Sequence, residues 1–167
     1  DLGGPGLNAT EFFYPNTVVW GSGVNIAVVE VDTQTGAVTI LKYVVVHDCG
    51  LPLNPLVVEG QISGGFAQGL GIALGERLVF DDDGQVLTGS LMDYFMPRAS
   101  DVPEIEIEHV VFPTNDNPLG IKSVGESAPN APGAALSAAI EDALEGRINI
   151  TSLPVTRSKI LTALRTI

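Results

Sequence analysis

Six glycines fall inside one apolar stretch, Glu59 to Arg77, and they restrict the possible folds of this chain more than any other feature. Ile62, Phe66, Leu70, Ala73 and Leu74 recur at helical spacing, so the stretch is predicted to be a helix. Each interior glycine costs a helix roughly 1 kcal/mol against alanine, so such a helix cannot stand alone. It needs a neighbour packed on it. On a helical wheel Gly60, Gly64, Gly71 and Gly75 lie within roughly 60° of one another, apart from the apolar stripe. A glycine face admits either a second backbone or a ligand at close range, and both readings stand. Gln61 and Gln68 share one helical face beside that strip, and either can offer an amide to a polar ligand.

Composition agrees with a chain that is partly covered by something else. Of 167 residues 45% are hydrophobic, enough for a core, while only 17% are charged, low for a free-standing domain. The chain opens on Asp1-Leu2-Gly3-Gly4-Pro5-Gly6 and reads as a single domain cut from a longer polypeptide, with residues 1–17 as an irregular lead-in. A net charge of -12 with eight scattered basic residues argues against nucleic acid and anionic membranes, which need clustered Lys and Arg. One cysteine, Cys49, excludes an internal disulfide and a cysteine-ligated iron–sulfur or structural zinc site. No apolar run approaches the ~20 residues of a membrane span.

Ile26, Val28, Val29 and Val31 form a β-branched run, Asp32 to Gly36 a turn, and Ala37 to Val46 a longer returning strand. Both faces of this pair are apolar, so the sheet is expected to be covered on both sides. Asp81-Asp82-Asp83-Gly84-Gln85 reads as a second hairpin turn. A calcium loop would need a bidentate Glu where Met92 stands, so a solvated turn is expected and no metal ligand is assigned. Glu104 to Val111 alternates strictly, as a strand with one wet side does. A helix is predicted from Pro132 to Leu144, closed by Gly146, and a last one over Val155 to Leu164. The expected fold is α+β, a mixed or antiparallel sheet with helices packed on it.

Three catalytic patterns fail. Gly125-Glu126-Ser127-Ala128-Pro129 approaches a nucleophile elbow, but Pro129 replaces the last glycine and no clear strand leads into it. Gly69-Leu70-Gly71 continues to Gly75, which is wrong in spacing and context for a dinucleotide loop. Cys49 follows His47 and Asp48 but has no basic surroundings to activate it, so an inert thiol is expected. Glu126 is left, on the loop Gly120-Ile121-Lys122-Ser123-Val124-Gly125-Glu126-Ser127 ahead of the alanine-rich helix. There it is either a helix cap, the default, or a working acid/base. Gly125 is expected to let the backbone turn sharply, and the N–H groups of Ser123 to Glu126 to form an anion-binding nest. Shielded from water, a carboxylate in such a loop would titrate nearer neutrality and serve as a base.

The stretch Gly60 to Leu74, the lead-in Asp48-Cys49-Gly50 to Asn54-Pro55, the loop Gly120 to Glu126 and Ala138 to Ala143 together resemble one family. It is that of the molybdopterin-binding large subunits of xanthine dehydrogenase and aldehyde oxidase. Leu87 to Arg98 leans toward the branch around the carbon monoxide dehydrogenase large subunit. The resemblance runs from about residue 20 to 165 and implies the C-terminal subdomain of a molybdenum-cofactor-binding domain. It implies an oxidoreductase that oxidises a carbon centre with oxygen taken from water, Glu126 being the general base. Gln61 matches a glutamine that bonds the pterin, and Ser123, Val124 and Gly125 match a loop lying along it. Molybdopterin, including its cytosine dinucleotide form, is the implied cofactor. Iron–sulfur clusters and FAD are implied on other domains or subunits, the rest of the site on an upstream part of the same subunit, and a small molecule as substrate. The location implied is cytoplasmic, with the periplasm as alternative. The competing expectation is a non-catalytic fragment that keeps the fold for assembly and partner contact.

Overall fold

A computed structural model describes residues 6, 7 and 9 to 166. Most of the lead-in's first residues lie outside the described part, and residues 9 to 21 form no helix or strand. The elements then follow as β1 (Ser22–Val31), β2 (Val38–Asp48), α1 (Pro55–Leu74), β3 (Glu106–His109), α2 (Pro132–Ala143) and α3 (Arg157–Arg165). The sheet order is β1-β2-β3. β1 and β2 are an antiparallel hairpin, and β3 lies parallel to β2, so the sheet is mixed. The parallel pairing follows from the connection: α1 and the loops after it carry the chain back, so that β3 starts beside Val44 and runs along the second half of β2.

The hairpin turn is built by Asp32, whose carboxylate accepts from the Gln34 and Thr35 amides and the Thr35 hydroxyl. Gly36 closes it at φ 67°. α1 starts at Pro55, four residues before the predicted boundary. Asn54 caps it by accepting from the Val57 amide, and Pro55 at the first turn needs no donor there. It ends at Leu74, where the Gly75 and Glu76 amides both bond the Gly71 carbonyl. α2 and α3 fall where expected, with Gly146 beyond α2 at φ 68°.

The helices pack on one face of the sheet only. Tyr43 and Val45 of β2 meet Ile62, Phe66 and Leu70 of α1 and Leu136 of α2, with the Tyr43 and Phe66 rings 4.2 Å apart. A second cluster, Ile140, Leu144, Ile148, Val155 and Ile160, joins α2 to α3 beneath the end of the hairpin. The other face carries Val24, Ile26 and Val28, all exposed, with Lys42 paired to Glu106 at 2.9 Å. Contrary to the expected cover on both sides, one apolar face is left exposed among the described residues.

The glycine face is corrected as well. A side chain on Gly65 would sit 2.8 Å from the Ala128 Cβ, and one on Gly69 2.6 Å from Pro132 Cγ. These two glycines, not the predicted four, let the Ala128 to Pro132 segment rest on α1. Gly71 and Gly75 give way to Pro97 and Phe95, while Gly60 and Gly64 have nothing within 4 Å. Packing therefore uses four of the glycines, and the two at the N-terminal end face open space.

Candidate functional site

The loop around Glu126 is held by residues far from it in sequence. Gly50 and Ile121 form an isolated antiparallel bridge, with the Lys122 amide donating to the Cys49 carbonyl at 2.7 Å and the Leu51 amide to the Gly120 carbonyl at 3.0 Å. Gly50 sits at φ 68°, and a Cβ there would strike the Gly120 carbonyl. A Cβ on Gly21 would strike the Ser123 carbonyl in the same way. Asn117 braces the loop from within: its carboxamide accepts from the Ile121 amide and donates to the Ile121 carbonyl. The loop is clamped at two glycines on two different strand ends.

An ion pair adds to the clamp. Lys122 Nζ lies 2.6 Å from Asp48 Oδ2, and both side chains are largely buried. Asp48 Oδ1 accepts from the Gly50 and Phe112 amides. Burial pushes this carboxyl up, but the Lys122 ammonium and the two amides outweigh it and hold it below the ordinary value. His47 is 1% exposed, and its Nδ1 stands 3.1 Å from Ser127 Oγ, which also donates to the Val124 carbonyl at 2.9 Å. Burial lowers the imidazole's pKa, His109 adds to that, and Asp48 opposes it. Sequence reasoning missed the clamping glycines, the Asp48–Lys122 pair and the role of His47. The only signal for them was the position of His47-Asp48-Cys49-Gly50 at a strand end.

The candidate residues come together in part. Gln61, in the exposed first half of α1, places its Oε1 4.0 Å from where a Cβ on Gly125 would stand. Residues 64 positions apart in sequence thus share one edge, beside the open Gly60 and Gly64. Ser123 and Val124 continue the same loop. The backbone N–H groups of Ser123 to Glu126 find no acceptor among the described residues. Glu126 is exposed within a turn, and α2 begins only at Pro132, with Ala131 as an N-cap that lends no side chain. The capping alternative is excluded by that geometry. Gly125 begins the turn, as expected, without entering the left-handed region, and only Gln61 lies near its Cβ position. The shielding from water expected around a working base does not come from the described residues.

The rivals resolve in the same frame. Ser127 does touch a histidine, but Asp48 is engaged by Lys122 and does not orient it, so no Ser-His-Asp triad forms. Cys49 is buried, and burial pushes its thiol up, away from the reactive range. Asp81 spends its carboxylate on the Asp83 and Gln85 amides of its own turn.

The family profile described as "Molybdopterin cofactor-binding domain" matches residues 2–103. The chain belongs to that family. The chain is 36% identical over 149 residues to the carbon monoxide dehydrogenase large chain of Hydrogenophaga pseudoflava, covering 89% of the chain and 18% of that protein. It is 38% identical over 159 residues to subunit gamma of the 6-hydroxypseudooxynicotine dehydrogenase complex of Paenarthrobacter nicotinovorans, covering 93% and 20%. The crystal structure of quinoline 2-oxidoreductase from Pseudomonas putida 86 superposes with a TM-score of 0.80 at 43% identity, over 83% of the domain and 18% of that chain. The domain spans about a fifth of the length of the curated relatives it matches. The resemblance to the xanthine dehydrogenase and aldehyde oxidase large subunits, with the carbon monoxide dehydrogenase branch among them, is thereby established, as is the α+β fold. Among the described residues no helix is long and apolar enough to cross a membrane.

The residues present fit one edge of the cofactor. A pterin ring displays alternating donors and acceptors along its rim, and a carboxamide such as that of Gln61 can answer both. The free N–H groups of Ser123, Val124 and Gly125 suit a carbonyl or phosphate oxygen. Gly60 and Gly64 leave room above α1 for a flat group to approach.

Proposed function

We propose that this domain forms one wall of the site of a molybdenum hydroxylase or dehydrogenase, with Glu126 as the general base. One observation carries the reading: Glu126, whose carboxylate has no partner among the described residues, follows Gly125 on a loop clamped by distant residues, and Gly125 lies beside Gln61. A residue needed only for folding would be spent on the loop, as Asp81 is. Glu126 takes a proton at its carboxylate from the water-derived oxygen as it attacks carbon. Gln61 would hold the pterin through its carboxamide, and the free N–H groups of Ser123, Val124 and Gly125 would face it. Molybdopterin, when bound, supplies the metal that accepts the electrons of the oxidation.

The substrate in this reading is a small molecule with an oxidisable carbon, as the names of the relatives suggest. The rest of the same subunit supplies the remaining walls, and iron–sulfur and flavin partners carry electrons away, since one cysteine cannot ligate a cluster. The test is Glu126→Gln in the full-length protein, assayed with carbon monoxide, an aldehyde and N-heterocycles beside its molybdenum content. Turnover is expected to fall about 10²- to 10⁴-fold with molybdenum unchanged. Loss of molybdenum would make Glu126 structural. Retained turnover would end its role as base, and a wild-type protein that holds no molybdenum would favour the assembly reading.

A further inference from the structure

Ser127 follows Glu126 directly, and its hydroxyl has two close partners. One, the Val124 carbonyl at 2.9 Å, can only accept, so the single hydroxyl proton goes there. The other, His47 Nδ1 at 3.1 Å, must then be the donor. Hydrogen-bond counting therefore assigns the tautomer: His47 carries its proton on Nδ1, and Nε2 is a bare lone pair. That agrees with the surroundings, because Nε2 is buried without a partner among the described residues and desolvation disfavours the charged ring. Gly23 is the neighbour of His47 across the sheet, and its Cβ position lies in ordinary contact range of Nδ1, at 3.5 Å.

The consequence reaches Glu126. Val124 and Ser127 bracket Gly125-Glu126, and the Ser127 hydroxyl ties the two ends of that turn together. His47 holds the hydroxyl from a rigid strand in the core. We propose that His47 is a positioning residue: the Nδ1–H it donates to Ser127 Oγ fixes the turn that presents Glu126. The proposal rests on the reading of Glu126 as the base, and acts through Ser127 without contact to the reacting atoms. The clamp at Gly21, Gly50 and Lys122 sets where the loop enters; the His47–Ser127 bond sets how its tip is turned.

The test uses the full-length, cofactor-loaded protein and the variants Ser127→Ala, His47→Ala, the pair of them together, and His47→Asn. An Asn side chain places an N–H donor where Nδ1 stood and carries no ionisable proton. Ser127→Ala and His47→Ala are each expected to lower kcat about ten- to a hundredfold, as loss of a supporting partner does, with KM and molybdenum content unchanged. The double variant should be no worse than either single one, and His47→Asn should recover most of the rate. Independently of activity, hydrogen exchange at the amides of residues 122 to 128 should quicken in both Ala variants and return to normal in His47→Asn. Unchanged exchange in Ser127→Ala, additive losses in the pair, or a His47→Asn as impaired as His47→Ala would overturn the proposal. Should His47→Ala not fold, Ser127→Ala and His47→Asn decide it alone. If Glu126→Gln keeps full turnover, the base reading fails, and the proposal with it as a statement about catalysis. If Glu126→Gln is inactive while exchange and kcat are normal in Ser127→Ala, only the positioning role fails.

Discussion

Two glycine-bearing loops in this domain each carry acidic residues, and they use them in opposite ways. The Asp81 to Gln85 turn is self-contained. Asp81 accepts from two amides of its own turn, Gly84 takes φ 81°, and a side chain on Gly84 would touch nothing. The Gly120 to Ser127 loop is shaped from outside: Cys49 and Gly50 bridge it, Gly21 passes under it, Asp48 pairs with Lys122, and His47 holds Ser127. Its own carboxylate, Glu126, takes no part. A turn stabilised by local bonds needs its acid, whereas a loop stabilised by tertiary contacts leaves its acid free for other work. The contrast is between a carboxylate spent on its own turn and one left without a partner among the described residues.

The largest effect that tests the contrast is on turnover. Glu126→Gln is expected to cost about 10²- to 10⁴-fold in kcat while leaving the thermal midpoint of the full-length protein unchanged. Parity in kcat would put the two acids in the same class. Next comes the buried pair. Lys122→Met strands the Asp48 carboxylate, and removing one partner of a buried pair costs about 3–5 kcal/mol. A urea titration with almost no shift would show that the pair does not hold the loop. Gly50→Ala should destabilise by more than about 2 kcal/mol, because it adds left-handed strain to a collision with the Gly120 carbonyl. By the same measurement Gly64→Ala, facing open space in this domain, should be neutral or better.

Acidification gives a smaller, graded effect. The unfolded imidazole of His47 binds a proton at about pH 6.5, whereas in the fold its pKa lies lower, so stability falls as pH drops through that value. Asp48 is depressed in the fold, so its contribution is complete above the unfolded value of about 3.9 and is lost as pH falls toward the folded one. Thermal midpoints between pH 8 and 4 should begin to fall near 6.5, and His47→Asn should remove that first decline. The smallest effect is at the other loop. Asp81→Asn, losing only charge from an exposed turn, should shift stability by less than about 0.5 kcal/mol and leave kcat unchanged. Finally, the 167-residue chain expressed alone is expected to hold no molybdenum, which metal analysis would check, because its residues form only one edge of the site.

Much of the fold was legible. The β1–β2 hairpin, α2, α3 and the alternation of β3 follow from periodicity and turn chemistry, because those signals are local. Sequence also singled out Glu126, Gln61 and the loop between Ser123 and Gly125, though mainly through family resemblance. Their local pattern left a helix cap as the default. The packing glycines were misassigned, since a helical wheel shows which residues share a face but not what occupies it. Gly65 and Gly69 meet the Ala128 to Pro132 segment, whose position depends on β1 and β2.

By itself, the sequence determined the elements, the α+β class and the membership of a molybdopterin-binding family. It also determined that the glycine-studded helix had to be packed against something. The tertiary structure alone decided that Glu126 caps nothing, that Gln61 and Gly125 share an edge, and that His47 and Asp48 point to two different anchors of one loop. The physical reason is range. Helix and turn preferences act over a few residues and are written locally, whereas a clamp built from Gly21, Gly50, Asp48 and Lys122 exists only once a sheet has brought strand ends and loop together.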